Sequence, residues 1–501
     1  MGTWIIIPII LPTLVGMFLL LSSFKQHLKT TESELKTADS SLKPIVLITL
    51  AISVACALFA AWSGEKSIVL FNIMENIPIF FKVDAVASLF VTVVSVVWFL
   101  VSFYAFTYMS HEGEEKRFFG LYLLVYGVLM GLNFSGNLVT LYLFYELMTV
   151  TSMPMVLHSG SKEAIDAAKK YLFFSMCGAY MGLFGIFFLY KYCGTLEFVA
   201  GGSLNAALVQ GNETIVMISV LAMLIGFGVK AGMFPLHSWL AAAHPVAPAP
   251  ASAVLSSIIV KAGVLAILRV VYYIVGADFI RGTWVQYAWI VLSLLTVFMG
   301  SMLAYKATVF KRRLAYSTVS QVSYILFGLA VLTPMGMTGA LLHVIFHACI
   351  KCTLFLTAGI FIFQTGKTNV DEYEGIGKFM PKTVWCYTLA ALALVGIPPA
   401  SGFVSKWYLA QGAFQSNVGH FGWIGIAILL ISALLTAGYL LPITMKGFFT
   451  EKKKEELPDF KGEAPKSMWI PLMILAALTI LLGMFPSAIV EFAAEIAATV
   501  L

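Results

Sequence analysis

Long runs of apolar residues alternate along this chain with short polar stretches. An α-helix needs about 20 predominantly apolar residues to cross a bilayer. Windows of that kind recur along the whole sequence and predict about fourteen transmembrane helices, that is, an all-α polytopic membrane protein. Their approximate bounds are 4–22, 43–63, 83–109, 118–134, 137–158, 171–192, 214–235, 248–273, 284–304, 314–333, 338–364, 383–411, 421–445 and 468–490.

Composition agrees with this pattern. The 501 residues are 60% hydrophobic and 11% charged, with a mean hydropathy of +0.92. Soluble domains carry about 25% charged residues, so a water-soluble fold is excluded and lipid must be the solvent for most of the chain. The first window lacks a basic n-region and a clear cleavage site, so we expect a retained helix there and not a signal peptide.

The positive charges predict an orientation. Of the 31 Lys and Arg residues, 22 fall in odd-numbered loops and four in even-numbered ones. Because cytoplasmic loops carry the excess of Lys and Arg, we expect both termini on the outer face of a bacterial or archaeal cell membrane. The loop at 452–466 mixes both signs and should lie solvated at the cytoplasmic surface. The net charge of +6 is spread over short loops, which does not indicate a nucleic-acid partner.

Five cations remain that the loops do not explain. Arg269 is near a predicted helix end, where its head can reach the interface. The other four are lysines within apolar runs, and one acid, Glu146, lies in such a run as well. A charge at the bilayer centre costs about 2.5–3.5 kcal/mol even on the lenient insertion scale, so these side chains must face a polar interior. The four lysines are Lys230, Lys261, Lys351 and Lys406.

These buried charges favour a proton relay. Each lysine alone could be the partner in a structural ion pair, but four lysines share one acid. Burial weakens an amine's hold on its proton and a nearby carboxylate restores it, so such a lysine can load and release protons. Histidines add to the pattern because they titrate near neutrality. His343, His347 and Lys351 recur every four residues and share one helix face, and His237 and His244 adjoin the lysine-bearing segments.

A metal site is the competing interpretation of the same region. His343 and His347 are followed by Cys349 and Cys352, but Cys349 is rotated away from the histidine face, and no second cluster completes a tetrahedral set. We therefore predict no metal and no cofactor in this chain. The cysteines fit small core residues better than a disulfide framework. Nucleotide, phosphate and iron–sulfur motifs are absent from the sequence, which gives the chain no catalytic centre of its own.

Helix breaks predict an internal repeat. Pro235 follows Lys230 in the seventh window, and Pro398 and Pro399 precede Lys406 in the twelfth. Interrupted helices at matching points of two halves mark ion pathways. The spacing of five fits two inverted five-helix repeats. We expect one integral domain, 1–501, composed of helices 1–3 (1–117), a first repeat with helices 4–8 (118–273), a second with helices 9–13 (284–445), and a loop with helix 14 (446–501).

Four long motifs resemble those of the antiporter-like subunits of respiratory complex I, of Mrp-type cation/proton antiporters and of membrane-bound hydrogenases. The first is VKAGMFPLHSWLAAAHPVAPAPASAVLSSIIVKAGVLAILR at 229–269. The others are KRRLAYSTVSQ at 311–321, HVIFHACIKCTLFLTAG at 343–359 and GIPPASGFVSKWYLA at 396–410. Because the motifs are long, ordered and spread over most of the chain, the resemblance is specific.

The resemblance implies roles for individual residues. Glu146 in LYLFYELM matches the glutamate that pairs with the seventh-helix lysine, here Lys230, and Lys261 matches the central lysine of the eighth helix. Lys406 matches the terminal ionisable residue of the second half, whose polar axis is formed by His343, His347 and Lys351. Asp84 is similar to an acid at the start of the third helix, where helix capping is an equally good interpretation.

The chain also departs from the family pattern. Val309 stands where an acid usually precedes the Lys-Arg pair, and WLAAAH lacks the usual proline after Trp-Leu. Lys406 and the local SKWYL favour the Mrp and hydrogenase branches. The chain ends soon after the last window, so we expect no long lateral helix of the kind found in the largest complex I relative.

The resemblance and the buried charges together predict a proton or cation/proton translocating subunit. Its expected partners are other membrane subunits of an Mrp-type, hydrogenase or complex I-like assembly, some of which are redox-driven oxidoreductases. H⁺ alone and H⁺ exchanged for Na⁺ both fit the residues. A non-conducting scaffold and a standalone secondary transporter are the alternatives. The transporter would need a compact mid-membrane cluster of substrate-binding groups, whereas the lysines are spread over several helices.

Overall fold

The computed structural model describes residues 2–29, 41–64, 66–74, 77–450 and 462–501. Lys36, one of the 22 cations counted in odd-numbered loops, and most of the predicted 452–466 loop lie outside these residues. The helices of the first part of the chain are α1 Thr3–Lys29, α2 Leu42–Trp62, α3 Ala85–Glu112, α4 Glu115–Asn133, α5 Leu138–Val156, α6 Lys162–Tyr192, α7 Ala206–Val209, α8 Glu213–Ala231, α9 Ser238–Val246, α10 Ala249–Val254, α11 Lys261–Arg269 and α12 Ala277–Ile280.

The helices of the second part are α13 Trp284–Lys306, α14 Phe310–Ala330, α15 Pro334–Thr365, α16 Pro381–Val395, α17 Ser401–Gln415, α18 His420–Phe449, α19 Lys466–Met484 and α20 Ser487–Val500. Short 3₁₀ turns at Val370–Tyr373 and Ile376–Lys378 precede α16. The sequence did not predict α20 as a separate helix.

Eleven helices within the described residues are long and apolar enough to cross a membrane. The remaining three predicted windows also lie on helices, but these helices either begin with charged residues or are too short to cross a membrane alone. The first turn of α4 contains Glu115, Lys116 and Arg117, and the first turn of α14 contains Lys311, Arg312 and Arg313. The window at 383–411 is divided between α16 and α17. The large apolar side chains on the outside, including Leu434 at 74% exposure, are those expected of a surface in contact with lipid.

The all-α prediction is wrong over residues 66–74 and 77–83. Strands β1 Lys66–Met74 and β2 Ile77–Val83 form an antiparallel hairpin, with Lys66 opposite Val83. The side chains of β2 alternate between buried and partly exposed positions, which is the period of a strand and not of a helix. The end of β2 overlaps the predicted third window, and α3 begins only after Asp84, whose carboxylate accepts a hydrogen bond from Ala87 N at 2.9 Å.

Two helices are interrupted at the predicted points. Helix α8 is followed directly by Gly232, with φ +78°, and the chain resumes as α9. Helix α16 is followed directly by Gly396, with φ +92°, and the chain resumes as α17. A left-handed residue at a helix end suits glycine, which has no Cβ to clash. The breaks leave the last carbonyl groups of α8 and α16 without the next helical turn, so side chains must satisfy them.

The centre of the molecule is formed by residues 249–275 together with α15. In the 249–275 segment, α10 and α11 are joined by a π-helical turn at Leu255–Ile259, and a second π-helical turn follows at Val270–Val275. All residues of the most apolar window in this segment are buried, and 89% of the residues in the corresponding window of α15 are buried. Lys261 lies in the first of these elements and Lys351 in the second, so the most enclosed part of this fold contains two of the charges that lipid excludes.

Candidate functional site

The first group of site residues lies where α5, α6 and α8 meet. Lys230, in the last turn of α8, has no exposed surface. Its Nζ donates to Thr149 Oγ1 at 2.5 Å and lies 3.5 Å from the Tyr171 hydroxyl. The ammonium also lies 5.0 Å from the centre of the Tyr145 ring and 5.2 Å from that of Tyr171. Such ring faces stabilise a desolvated cation.

Glu146 lies on α5, three residues before Thr149, and is partly buried. Its Oε1 is buried and has no hydrogen-bond partner among the described residues. Within the described residues no ion pair at 4.0 Å or less joins this carboxylate to Lys230, so the expected pairing is not a direct ion pair in this structure. Thr149 therefore holds Lys230 in place of the acid.

The second group is centred on Lys261, at the start of α11. Its Nζ lies 2.6 Å from His347 Nδ1 on α15 and donates to the Ser256 carbonyl at 3.1 Å. Ser256 belongs to the π-helical turn that precedes the lysine, and its hydroxyl lies 2.7 Å from that of Thr318. Lys261 belongs to the first predicted repeat and His347 to the second, so this contact joins the two groups of predicted relay residues.

His343 and His347 share one face of α15, as their spacing predicts. Their ring centres are 5.7 Å apart. His343 Nδ1 lies 2.9 Å from Ser405 Oγ on α17, and its ring stacks on Tyr324. The Nε2 atoms of both histidines are buried without a partner in the described residues. Each ring therefore has one nitrogen engaged and one available.

Lys351 lies one helical turn beyond His347 and points to a different set of groups. Its Nζ donates to Ser317 Oγ at 2.7 Å and to the Leu314 carbonyl at 3.1 Å, both on α14. The Tyr439 hydroxyl of α18 donates to the same Ser317 Oγ at 2.8 Å. Lys351, with no exposed surface, thus reaches a chain of hydroxyl groups that leads from α15 through α14 to α18.

Lys406 satisfies the end of the interrupted helix α16. From α17 its Nζ donates to the carbonyl oxygens of Leu394 and Val395 at 2.6 and 2.8 Å. A cation at a helix C-terminus is favoured by the partial negative charge of the unpaired carbonyl groups. The ammonium also lies 5.2 Å from the centre of the Tyr324 ring, and that ring stacks on His343.

The accessory histidines differ from each other. His244, on α9, is completely buried and lies against Phe355 in a tilted arrangement with ring centres 4.6 Å apart. Neither of its ring nitrogens has a partner among the described residues. His237 is less buried, stacks on Phe234 and has an unpartnered Nδ1 within the same described set. The structure thus leaves both histidines outside the contacts that link the lysines.

Asp84 and Arg269 form a bidentate ion pair. The two guanidinium nitrogens lie 2.6 and 2.7 Å from the carboxylate oxygens, and Arg269 is 1% exposed. The guanidinium also lies over the rings of Phe198 and Tyr273. The expectation that Arg269 reaches the interface is therefore wrong, because its partner Asp84 satisfies the charge inside the protein. Asp84 both caps α3 and neutralises this arginine.

Sequence reasoning missed the groups that hold the lysines. These groups carry no charge, so hydropathy does not distinguish them from ordinary polar residues in membrane helices. They are the side chains of Thr149, Tyr171, Ser317 and Ser405.

One buried lysine was also missed. Lys311 was counted as a loop cation but is 5% exposed, and its Nζ donates to the Ala247 carbonyl at 2.8 Å.

Metal ligation was the competing interpretation for the cysteines near His347. The described part of the chain contains no group of three or more His, Cys, Asp or Glu side chains arranged to hold a metal ion. Cys349 and Cys352 are buried free thiols.

Comparison with known proteins identifies the class. Residues 135–436 match the family described as NADH:quinone oxidoreductase/Mrp antiporter, transmembrane, and residues 71–119 match the family described as NADH-ubiquinone oxidoreductase (complex I), chain 5 N-terminus. The first match covers more than half of the sequence. The chain therefore belongs to the NADH:quinone oxidoreductase/Mrp antiporter transmembrane family, and it is an antiporter-like membrane protein.

Individual relatives come from several branches of this family. The chain is 32% identical to NADH-quinone oxidoreductase subunit N of Desulforudis audaxviator over 78% of its own length and 80% of that protein. It is 29% identical to the D-type subunit of the Na(+)/H(+) antiporter of Alkalihalophilus pseudofirmus over 100% and 98% of the two chains.

Solved structures share the same fold. A chain of the Mrp complex of Dietzia sp. matches with a TM-score of 0.84 at 21% identity, covering 100% of this chain and 98% of that one. A chain of the archaeal membrane-bound sulfane sulfur reductase matches with a TM-score of 0.83 at 25% identity over 99% of both chains.

Proposed function

We propose that this chain is the proton-translocating, antiporter-like subunit of a multisubunit membrane assembly. The relay begins at Glu146 and Lys230, passes Lys261 and His347, and continues through His343 towards Lys351 and Lys406. The observation that carries the proposal is the 2.6 Å contact between Lys261 Nζ and His347 Nδ1. It connects an amine and an imidazole at the most enclosed point of the fold, where a permanently charged lysine has no carboxylate partner among the described residues.

The environment of Lys230 supports a switch at the start of the relay. A buried amine holds its proton less tightly than one in water, and a carboxylate that comes close restores the hold. Glu146 lies on the same helix as Thr149, the present partner of Lys230. A small movement of α5 or α8 that exchanges Thr149 for Glu146 would load Lys230, and the reverse movement would release its proton towards Lys261.

The second half offers two routes from His347. His343 Nδ1 reaches Ser405, which directly precedes Lys406 on α17. Lys351 reaches Ser317 and Tyr439 instead. Histidine passes a proton by accepting on one nitrogen and donating from the other, and the unpartnered Nε2 atoms of His343 and His347 leave both rings able to do so.

We further propose fourteen membrane crossings, with repeats at 118–273 and 284–445 inverted relative to each other. The packing of the interrupted helices supports this, because α6 packs against both α8 and α9, and α15 packs against both α16 and α17. The Lys and Arg bias supports cytoplasmic odd-numbered loops and outward-facing termini.

The relatives support an assembly with other membrane subunits. One is named as a subunit of a Na(+)/H(+) antiporter and another as a component of hydrogenase-4 in Escherichia coli. A lysine at position 406 favours the Mrp and hydrogenase branches of the family. The transported ion is H⁺, either alone or exchanged for Na⁺, and any redox chemistry belongs to partner subunits.

Replacing Lys230 tests the proposal. In the assembled complex in sealed vesicles, Lys230→Ala should reduce coupled proton transport to background while the chain still assembles. Lys169→Ala is the matched control, because Lys169 is an exposed lysine in an ion pair with Asp166. Wild-type transport in Lys230→Ala contradicts the relay. Loss of assembly in Lys230→Ala and Lys261→Ala, with normal transport by the complexes that do form, favours the scaffold alternative.

A further inference from the structure

A narrow cavity lies beside Lys261. Its volume is about 10 Å³, and it is enclosed by α3, α4, the π-helical turn and α11 together with Val344 of α15. A cavity needs about 10–15 Å³ of this kind of volume to hold one water molecule, together with two to four polar partners. The space is therefore large enough for a single water and for no larger ligand.

Three polar side chains line this otherwise apolar space. They are Asn133, the last residue of α4, Ser257 in the π-helical turn, and Lys261. Asn133 is 3% exposed, and its Nδ2 is buried with no hydrogen-bond partner in the described residues. An unpaired buried amide donor costs free energy, so the fold retains a group here that an additional partner would satisfy.

Lys261 has one N–H donor that is available to the same partner. An ammonium group has three N–H donors, and within the described chain two go to the Ser256 carbonyl and to His347 Nδ1. Ser257 Oγ donates to the Ala253 carbonyl at 2.6 Å and keeps a lone pair. One water could thus accept from Asn133 and Lys261 and donate to Ser257, which gives it three hydrogen bonds.

Asn133 also connects this cavity to the β-hairpin through the chain that follows it. It ends α4 next to Phe134, whose carbonyl accepts a hydrogen bond from Lys82 N of β2 at 2.8 Å. Four residues further on, Asn137 lines a cleft of about 620 Å³ that also includes Asn72 and Glu197. Asn133 lines the cavity beside the buried lysine, and the short segment that follows it reaches both the hairpin and the polar cleft.

We propose that the cavity binds one water molecule held by Lys261, Asn133 and Ser257, and that this water is a branch of the relay directed to the hairpin side. The branch rests on the proposed function, since it gives Lys261 a second proton-transfer partner besides His347. Asn133 acts through the water and is a positioning residue. The water itself is a structural claim that holds independently of transport.

Two substitutions that remove the water by different means test the branch. Asn133→Leu removes the amide and fills the space, and Val93→Ile fills it from α3 while Asn133 stays in place. Each should lower coupled proton transport of the assembled complex in proteoliposomes by about tenfold, the effect of losing one well-placed hydrogen bond at the transfer step. Asn133→Ser, which keeps a polar group and leaves room for water, should transport within about twofold of wild type.

Ser135→Ala is the matched control, because the Ser135 hydroxyl is buried nearby but donates to the Gly131 carbonyl of the preceding turn. It should leave transport unchanged. High-resolution cryo-electron microscopy of the wild-type complex should show a density peak in the cavity, and the peak should be absent in Asn133→Leu and Val93→Ile.

An empty cavity in a map that resolves other buried waters overturns the water site. A bound water with wild-type transport in both cavity-filling variants overturns the branch. Failure of the proposed function gives a different result, namely wild-type transport in Lys230→Ala and Lys261→Ala, while the density peak still decides whether the water site exists.

Discussion

Lys230 and Lys406 lie beside the two helix breaks, yet their ammonium groups are held in different ways. Lys230 is held by a threonine hydroxyl and two tyrosine rings, with Glu146 nearby on α5. Lys406 is held by two backbone carbonyl oxygens at the end of α16. A side-chain partner can be exchanged by a rotation, whereas a helix end is fixed. The first site is therefore suited to switching and the second to holding a cation in one place.

Lys406→Ala should have the largest effect, because it removes both a proposed relay residue and the cap of α16. The Leu394 and Val395 carbonyls lose their donor, and each buried unpaired group costs about 1–3 kcal/mol. We expect transport at background level and a fall in the melting temperature of the assembled complex, measured by scanning calorimetry. Lys230→Ala should also lose transport, but with a smaller fall in the melting temperature. Equal melting temperatures in the two variants contradict the structural role of Lys406.

Glu146→Gln should have the next largest effect and should act on transport alone. The amide keeps the shape of the side chain but cannot attract the Lys230 proton. We expect a decrease in coupled proton transport of at least about tenfold, since a positioned proton-transfer group typically contributes about 10²–10⁴, with an unchanged melting temperature. Glu163→Gln, on an exposed part of α6, is the control. A stability loss without a transport loss would assign Glu146 to packing.

Thr149→Val should have a moderate effect. It removes the hydroxyl that accepts the hydrogen bond of Lys230 and keeps the volume of the side chain. A hydrogen bond to a charged group contributes about 1.5–3 kcal/mol, part of which Glu146 can replace. We expect a three- to tenfold change in transport rate, or roughly 1 kcal/mol, measured in vesicles. Thr151→Val changes a threonine whose hydroxyl bonds only within α5 and should have no effect.

Tyr171→Phe should have the smallest effect. The hydroxyl lies 3.5 Å from Lys230 Nζ, at the limit of a hydrogen bond, while the ring that faces the cation is retained. Transport should stay within about twofold of wild type. Tyr171→Leu, which removes the ring, should be slower than Tyr171→Phe. If the two variants behave alike, the ring does not stabilise the cation.

Much of the fold was accessible from the sequence, and so were the charged residues of the candidate site. Glu146 and the four lysines could be singled out because apolar helices normally exclude charged side chains; their part in a relay stays a prediction. The breaks beside Lys230 and Lys406 were found because glycine and proline interrupt helices for steric reasons.

The partners of those charges were not accessible in the same way. The hydroxyl groups of Thr149 and Ser317 are unremarkable in a hydropathy pattern, and their importance depends on which helices meet. Lys311 was assigned to a loop because its window begins three residues later, although it is buried in the first turn of α14. The hairpin strands at Lys66–Met74 and Ile77–Val83 were missed because nearly all of their residues fell between the second and third predicted windows and were assigned to a loop.

The central claim is that one relay connects both halves through Lys261 and His347. A double-mutant cycle with Lys261→Gln, His347→Gln and the pair, read as proton transport by the assembled complex in sealed vesicles, tests it most directly. Substitutions of two residues on one transfer path have non-additive effects on the transport rate. We predict that each single variant keeps only a small, still measurable fraction of wild-type transport and that the double variant is no slower than the slower single variant. Independent, multiplying effects, or wild-type transport in either single variant, would contradict a single relay.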